Sequence, residues 1–130
     1  MNVFLDENLS PYVADALNSL NKGYFSHIQV FSTITKVGKG KPDEDIIPFI
    51  GNVGGILITK DLNVQRTHLQ YELCKSHDIG LFFLQFQKGH TKHWDIVKLL
   101  INRWEEIVEL CKEKRPFAYR IKIRGKTEKL

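Results

Sequence analysis

The sequence lacks any apolar segment long enough to cross a membrane. Its longest uncharged apolar run extends from about Ile79 to Phe86, whereas a membrane-spanning helix needs about 20 apolar residues. It also lacks the basic segment and apolar stretch of a secretory signal peptide, because Met1 leads directly into Val3-Phe4-Leu5. We therefore expect no contact with a membrane and a location in the cytoplasm.

Cysteine is scarce, which argues against a disulfide scaffold. The two cysteines, Cys74 and Cys111, lie far apart within predicted helices, a pattern typical of buried free thiols. Histidine and cysteine pairs with the spacing of a zinc site are absent as well. Zinc is therefore not an expected cofactor.

Positive charge is concentrated near the end of the chain. The net charge is +4, and residues 111–130 contain eight lysines and arginines against two glutamates. Most acidic residues lie earlier, several of them just after predicted strands. This distribution suits a metal-dependent enzyme that acts on a polyanion, and it equally suits a protein that binds an acidic partner.

Apolar periodicity predicts strands that alternate with helices. Strands are predicted at residues 3–5, 28–31, 56–59, 80–86 and 117–124. This order indicates a three-layer α/β/α fold with a mainly parallel central sheet, in one domain of residues 1–124. Leu69, Trp94 and Trp104 are predicted to face the core from the helices. The last strand is expected at an edge of the sheet, and residues 125–130 are expected to be a loose basic tail.

Three groups of polar residues stand where the predicted fold would bring them together: two follow the first and third strands, and the other opens the helix before the third strand. They are Asp6 with Glu7, Asp43 with Glu44 and Asp45, and Asp61 with Asn63. Because parallel strands direct their carboxyl ends into one crevice, we expect these groups to converge. Crowded carboxylates repel one another, and a hard divalent cation such as Mg²⁺ or Mn²⁺ relieves that repulsion.

Each acidic group also has a structural interpretation. Asp43 follows Pro42 and could cap the helix that begins there, and Asp45 could stabilise the first turn of that helix. Asp61 could be a turn residue or a cap for the next helix. The three groups in combination are more specific for a metal site than any one of them alone.

Two sets of basic residues are candidates for binding a polyanion or an acidic partner. Arg120, Lys122 and Arg124 share one face of the last predicted strand, and Lys39, Lys41 and Lys60 lie beside the acidic motifs. The second set could hold phosphates on either side of a reacting phosphodiester. The first set has a structural alternative, because charged side chains also protect an exposed edge strand from aggregation.

Three motifs in order carry a family resemblance. They are Phe4-Leu5-Asp6-Glu7-Asn8-Leu9-Ser10-Pro11, Pro42-Asp43-Glu44-Asp45 and Ile56-Leu57-Ile58-Thr59-Lys60-Asp61. They resemble the three acidic motifs of PIN-like toxin domains, in the VapC-like branch of the PIN nuclease superfamily. The similarity continues through residues 80–84 and 116–119, and so covers nearly the whole chain.

The resemblance implies a metal-dependent endoribonuclease, often the toxin of a bacterial toxin–antitoxin pair. It implies an RNA substrate and an antitoxin partner, and it leaves a homodimer open. Asp6, Asp43 and Asp61 match the catalytic, metal-binding acids for Mg²⁺ or Mn²⁺, with Glu7, Asp45 and Asn63 as further candidates. Typical PIN domains carry a fourth acid near the third motif, where this chain has Asn63. A degenerate PIN-like domain that only binds RNA or a protein is therefore the alternative.

Overall fold

The computed structural model describes residues 1–130 and contains six strands and five helices. The strands are β1 (Asn2–Leu5), β2 (Gln29–Ser32), β3 (Ile56–Lys60), β4 (Gly80–Gln85), β5 (Phe117–Lys122) and β6 (Glu128–Lys129). The helices are α1 (Pro11–Asn21), α2 (Thr33–Lys36), α3 (Asp43–Asn52), α4 (Val64–Ser76) and α5 (His93–Leu110). None of the helices is both long and apolar enough to pass through a bilayer.

The strands form one sheet in the order β2-β1-β3-β4-β5-β6. All neighbours are parallel except β5 and β6, which are antiparallel. β1 lies in register between its two neighbours, with Leu5 opposite Ser32 of β2 and Ile58 of β3. Because β1 and β3 are parallel neighbours, residues that follow them emerge side by side.

Side chains alternate along the strands and create two apolar layers, one on each face of the sheet. Leu5 packs with Leu17 of α1 and Ile107 of α5 on one face. Phe4 packs with Ile47 of α3 and with residues of β3 and β4 on the other face. Helices therefore cover both faces, which confirms the three-layer α/β/α fold.

The end of the chain is ordered into the sheet rather than loose. Glu128 pairs with Arg120 and Lys129 pairs with Tyr119, and the backbone N–H of Leu130 donates to the carbonyl oxygen of Ala118 at 2.9 Å. The expectation of a loose tail is therefore wrong. β5 is also not an edge strand, because β6 covers its outer side.

Two predicted core residues are exposed. Trp94 is 68% exposed because it lies in the first turn of α5, where its ring packs against His93 instead of the sheet. Leu69 is 60% exposed because the buried stripe of α4 consists of Thr67, Gln70 and Cys74. That stripe is mainly polar, so apolar periodicity indicated the wrong face of the helix.

Candidate functional site

Asp6 is a buried carboxylate at the carboxyl end of β1. It is 2% exposed, and its backbone N–H donates to the carbonyl oxygen of Ile58 at 3.0 Å, which extends the ladder with β3. Its Oδ2 accepts a hydrogen bond from the Thr59 hydroxyl at 2.8 Å, and its Oδ1 accepts one from the backbone N–H of Glu7 at 2.9 Å. Both oxygens are thus held in fixed directions. Alternation along β1 places this carboxylate on the face covered by α3 and α4.

Asp43 is the first residue of α3, but it does not cap the helix. The N-cap is Pro42, and no side chain makes a capping hydrogen bond there. The interpretation of Asp43 as an N-cap is therefore wrong. Its Oδ2 lies 3.7 Å from Nε of Arg66 on α4, a distance that leaves the carboxylate without a close charged hydrogen bond.

The Asp43 carboxylate lies in an environment that disfavours its charge. Burial raises its pKa most, the Arg66 charge lowers it, the Asp6 charge raises it, the Gln70 amide lowers it, and Glu44 raises it. The net effect is a raised pKa. The charge of Asp6 thus adds to the effect of burial in disfavouring the ionised form of Asp43.

Asp61 follows β3 on the same face, but its charge is already neutralised. Its Oδ2 accepts from Nε of Arg120 at 2.8 Å, and its Oδ1 accepts from the Thr67 hydroxyl at 3.1 Å. Adjacent residues in the first turn of α4 contact the two acids, Arg66 on Asp43 and Thr67 on Asp61. A hydrogen bond and an ion pair thus hold both Asp61 oxygens.

The three predicted acids differ in their surroundings. Asp6 and Asp43 influence each other electrostatically, whereas Asp61 is held by Arg120. No group of three or more histidine, cysteine, aspartate or glutamate side chains is arranged to hold a metal ion. The assignment of all three acids to one metal site stays a prediction.

The three further candidates have different surroundings. Oε2 of Glu7 accepts from the backbone N–H of Gly40 at 2.9 Å, so Glu7 fastens the lysine-bearing loop to the site. Asn63 is the N-cap of α4, and its Oδ1 accepts from the backbone N–H of Arg66 at 2.8 Å. Asp45 is exposed in the first turn of α3. An asparagine at 63 is thus explained by helix capping.

The basic residues of β5 do not form a free cationic face. Arg120 pairs with Asp61 and Glu128, and Lys122 pairs with Glu128 at 3.3 Å. Arg124 lies beyond the end of β5 and is exposed. The lysines beside the acidic motifs are more accessible: Lys39 and Lys41 are exposed, and Lys60 is partly exposed.

Two residues near the acids were not singled out as site residues from the sequence. Thr59 orients Asp6, and Gln70 is 1% exposed beside Asp43. The spacing of Thr67, Gln70 and Cys74 predicts that they share one face of α4. The spacing does not predict which other residues this face of the helix contacts.

A cleft of about 690 Å³ opens beside Asp61. Its walls include Val64, Tyr71 and Phe86, together with the Asp61–Arg120 pair. Asp6 and Asp43 do not line it. This cleft therefore adjoins Asp61, while Asp6 is buried and Asp43 borders a separate pocket between α3 and α4.

Comparison with known proteins identifies a family for most of the chain. A family model described as "PIN like domain" matches residues 1–86. The matched region ends after β4 and contains Asp6, Asp43 and Asp61. No curated protein matches the chain, and no solved structure matches it.

Proposed function

The chain belongs to the PIN-like domain family, whose members are generally nucleases, and from this we propose that it is a metal-dependent endoribonuclease. We further propose that it is a VapC-like toxin with a cognate antitoxin. The observation that carries the proposal is the buried Asp6 carboxylate at the carboxyl end of β1, held by the Thr59 hydroxyl of β3; burial, and then the charge of Asp6, raise the pKa of Asp43 on α3. Repelling carboxylates at a strand end are a typical cation site.

The residues around this pair fit a hard divalent cation. The candidate donors are the oxygens of the two carboxylates and of the Asn8 and Gln70 amides; burial, with the charge of Asp43, raises the pKa of the Cys74 thiol to about 12, so that this sulfur stays protonated. Oδ1 of Asn8 and Oε1 of Gln70 are buried and have no hydrogen-bond partner, and Asn8 is fixed nearby because its Nδ2 donates to the Thr59 hydroxyl at 3.5 Å. Oxygen donors without sulfur or imidazole favour Mg²⁺ or Mn²⁺ over zinc.

Each acid has a distinct role in the proposal. Asp6 and Asp43 hold the cation, which when bound would polarise the phosphodiester and lower the pKa of an attacking water. Thr59 keeps Asp6 in one orientation. Asp61 accepts a hydrogen bond from the Arg120 guanidinium, which offsets its negative charge, and it orients that guanidinium beside the cleft.

The substrate is proposed to be RNA held by the lysines around the site. Lys39 and Lys41 lie on the loop that Glu7 fastens through Gly40, and Lys60 ends β3 directly before Asp61. Their positive charges would offset the negative field of the acids toward an approaching polyanion. Phosphate contacts of this kind determine affinity but not sequence preference.

A second candidate function is a degenerate PIN-like domain that binds RNA or a protein without cutting. It is favoured by the Asp61–Arg120 pair and by the absence of a three-acid cluster. Asn63, which stands where typical PIN domains carry a fourth acid, favours the same interpretation. RNA cleavage that depends on Asp6 would support the nuclease, whereas RNA binding without cleavage would support the degenerate domain.

The test is cleavage of a labelled RNA by the purified full-length protein with Mn²⁺, with EDTA, and with Mn²⁺ restored. Asp6→Asn and Asp43→Asn should each reduce turnover by at least about 100-fold, because each removes a charge from the cation site. Asp15→Asn is the matched control, since Asp15 is an exposed acid on α1. Cleavage that persists in EDTA or in Asp6→Asn would overturn the nuclease proposal.

A further inference from the structure

Trp94 is an exposed tryptophan in the first turn of α5. It is 68% exposed, although tryptophan side chains are highly buried on average. Its one aromatic neighbour is the exposed His93, whose ring lies 5.3 Å from it at 80°, an edge-to-face contact. Most of the indole therefore faces water and is available to another planar group.

A polar pocket lies beside Trp94 on α5. Lys98 and Asn102 follow Trp94 at intervals of four residues and so share its face of the helix. Both line a pocket of about 310 Å³, together with His90 from the segment after β4 and Arg124 from the segment after β5. Side chains from three separate parts of the chain thus meet one helical turn from an exposed indole.

The pocket has an excess of positive charge. Neither Lys98 nor Arg124 forms an ion pair, whereas Lys122 on the adjoining strand pairs with Glu128. The one acid in the wall is Asp95, and its Oδ2 accepts a hydrogen bond from the backbone N–H of Lys92 at 3.0 Å. Two cations without counter-ions in a small pocket favour an anion of the size of a phosphate group.

Both segments that contribute to the pocket are held in place by the chain itself. Nη2 of Arg103 on α5 donates a hydrogen bond to the carbonyl oxygen of Gly125 at 2.6 Å, which fixes the backbone directly after Arg124. The backbone N–H of His90 donates to the carbonyl oxygen of Gln87 at 2.9 Å and closes a turn after β4. The pocket is therefore formed before any ligand arrives, which lowers the entropic cost of binding.

The pocket opens at the same edge of the sheet as the acidic motifs. β1, β3, β4 and β5 are parallel, so the residues that follow them all emerge at the carboxyl edge. Asp61 follows β3 and Arg124 follows β5, two strands away, which is roughly 10 Å at the usual strand spacing. One extended polyanion can therefore reach both the pocket and the acids.

We propose that this pocket and Trp94 form a binding subsite for single-stranded RNA, in which Lys98 and Arg124 hold a backbone phosphate and Trp94 stacks on a neighbouring base. The inference rests on the proposed RNA substrate and deepens it, because it specifies an unpaired strand. Bases within a duplex stack on one another and are not free to contact an indole. Every base has a π-face, so the subsite contributes affinity without strong sequence preference.

Tryptophan fluorescence tests the stacking contact directly. The chain has two tryptophans, and Trp104 is only 7% exposed, so quenching by RNA reports on Trp94. The full chain is titrated in EDTA, which prevents metal-dependent cleavage, with a short single-stranded RNA and with the same sequence as a duplex. The single strand should quench the fluorescence and the duplex should not.

Variants of Trp94 test whether the stacking contributes to affinity, measured by anisotropy of labelled RNA. Trp94→Leu should weaken binding of the single strand by at least about fivefold, because one base loses its aromatic partner. Trp94→Phe keeps an aromatic face and should retain most of the affinity. Tyr24→Leu is the control, because Tyr24 is a 74% exposed aromatic residue beyond the other end of α1, and it should bind RNA like wild type.

The cations of the pocket are tested by the salt dependence of the same binding. Lys98→Gln with Arg124→Gln should reduce the slope of log affinity against log salt by roughly 0.7, the value for one single-strand phosphate contact. Lys22→Gln with Lys114→Gln removes the same charge from exposed positions at the amino edge of the sheet and should leave the slope close to that of wild type.

Two further probes identify the source of the anion. Inorganic phosphate should displace the RNA only weakly at constant ionic strength. Displacement by phosphate at the concentration at which the RNA itself binds would show that the pocket holds a free phosphate. Poly-glutamate that binds as tightly as RNA of equal charge would show that the surface recognises an acidic protein. Either result would overturn the RNA assignment.

The outcomes separate this inference from the proposed nuclease function. If RNA binding depends on Trp94 and on the two cations, but no RNA is cleaved with Mn²⁺, the subsite stands and the nuclease proposal fails. If RNA is cleaved with Mn²⁺, but Trp94→Leu and the double variant bind RNA like wild type, the nuclease proposal stands and this inference is overturned. A chain that binds no RNA at all overturns both.

Discussion

Nε of Arg120 donates a hydrogen bond to Oδ2 of Asp61 at 2.8 Å, and this pair joins β5 to the carboxyl end of β3. Burial lowers the Arg120 pKa, but the hydrogen bond and the charge of Asp61, with those of Glu128, raise it by more. The guanidinium therefore stays charged and forms an ion pair with Asp61, the acid of the third PIN-like motif.

Arg120→Met should free the Asp61 carboxylate. We expect Mn²⁺ to bind more tightly to this variant if Asp61 belongs to the proposed cation site, because the positive charge that offsets its carboxylate is removed. The free energy of unfolding should fall by about 1–3 kcal/mol, as for loss of a charged, partly buried hydrogen bond. Calorimetry and urea unfolding measure the two effects.

Lys122→Met is the matched control, because Lys122 lies on the same strand and pairs only with Glu128. The double variant Arg120→Met with Asp61→Asn should lose the gain in Mn²⁺ affinity. If Arg120→Met binds Mn²⁺ no more tightly than wild type, Asp61 does not belong to the cation site at all.

Asp43→Asn should stabilise the metal-free protein at neutral pH. The folded-state pKa of Asp43 is raised above the ordinary value of 3.8. The protonated form of Asp43 is therefore the one that favours the folded state. Its contribution to stability is fully present below pH 3.8 and is lost as the pH rises through the folded-state pKa. Asparagine has no charge to lose, so the variant should be more stable than wild type at pH 7. The two proteins should approach equal stability near pH 3.8.

Urea unfolding in EDTA, repeated at intervals of about one pH unit between pH 3.5 and pH 7, measures how the free energy of unfolding of each protein depends on pH. Asp15→Asn serves as the control for removal of an exposed acid and should follow wild type throughout. A constant stability difference between Asp43→Asn and wild type across the pH range would show that the Asp43 charge is not destabilising.

The main strands were predictable because strands buried on both faces have a simple signature. β3 and β4 are continuous apolar runs, as expected inside a parallel sheet covered by helices. β6 was missed, since Glu128 and Lys129 form a strand of only two exposed, charged residues. Its position depends on pairing with β5, which no local pattern encodes.

The site was only partly predictable for a similar reason. Strand order and the side-chain alternation placed Asp6 near Asp43, because both follow from local patterns and sheet topology. The Asp61–Arg120 pair joins residues 59 positions apart, and spacing gives no signal for it. Gln70 was missed because a polar residue on a helix is expected to face solvent unless its tertiary surroundings are known.

Trp104 and Asn21 form a buried polar contact on the opposite face of the sheet. Nε1 of Trp104 donates to Oδ1 of Asn21 at 2.8 Å, which joins α5 to the end of α1. Trp104→Phe should lower the free energy of unfolding by about 1–3 kcal/mol, because it leaves the asparagine oxygen unpaired. Asn21→Leu in the Trp104→Phe background should recover part of that loss, and urea unfolding of the four proteins gives the coupling energy. Purely additive effects would contradict this contact.

Expression of the wild-type chain in a bacterial host should arrest growth and degrade cellular RNA if the proposed toxin role holds. Asp6→Asn should remove both effects at equal protein level, because it disables the carboxylate that Thr59 holds at the end of β1. Asp15→Asn should remain toxic. If the protein cleaves RNA in vitro but its expression leaves growth unaffected, the nuclease proposal stands and the toxin proposal is contradicted.

Lys39 and Lys41 should supply part of the electrostatic attraction to RNA. Both are exposed on the loop tied to Glu7 through Gly40, so their ammonium groups can reach phosphates next to the acids. Changing both to Gln should weaken RNA binding at low salt and reduce the slope of log affinity against log salt by roughly 1.4, about 0.7 for each single-strand phosphate contact. Fluorescence anisotropy over a salt series, with a labelled single-stranded RNA and the Asp6→Asn variant to prevent cleavage, measures this slope.

Lys22→Gln with Lys114→Gln is the matched control, because both lysines are exposed away from the acidic motifs. An equal loss of slope in the control pair would show that attraction depends on net charge alone and that the loop has no special role.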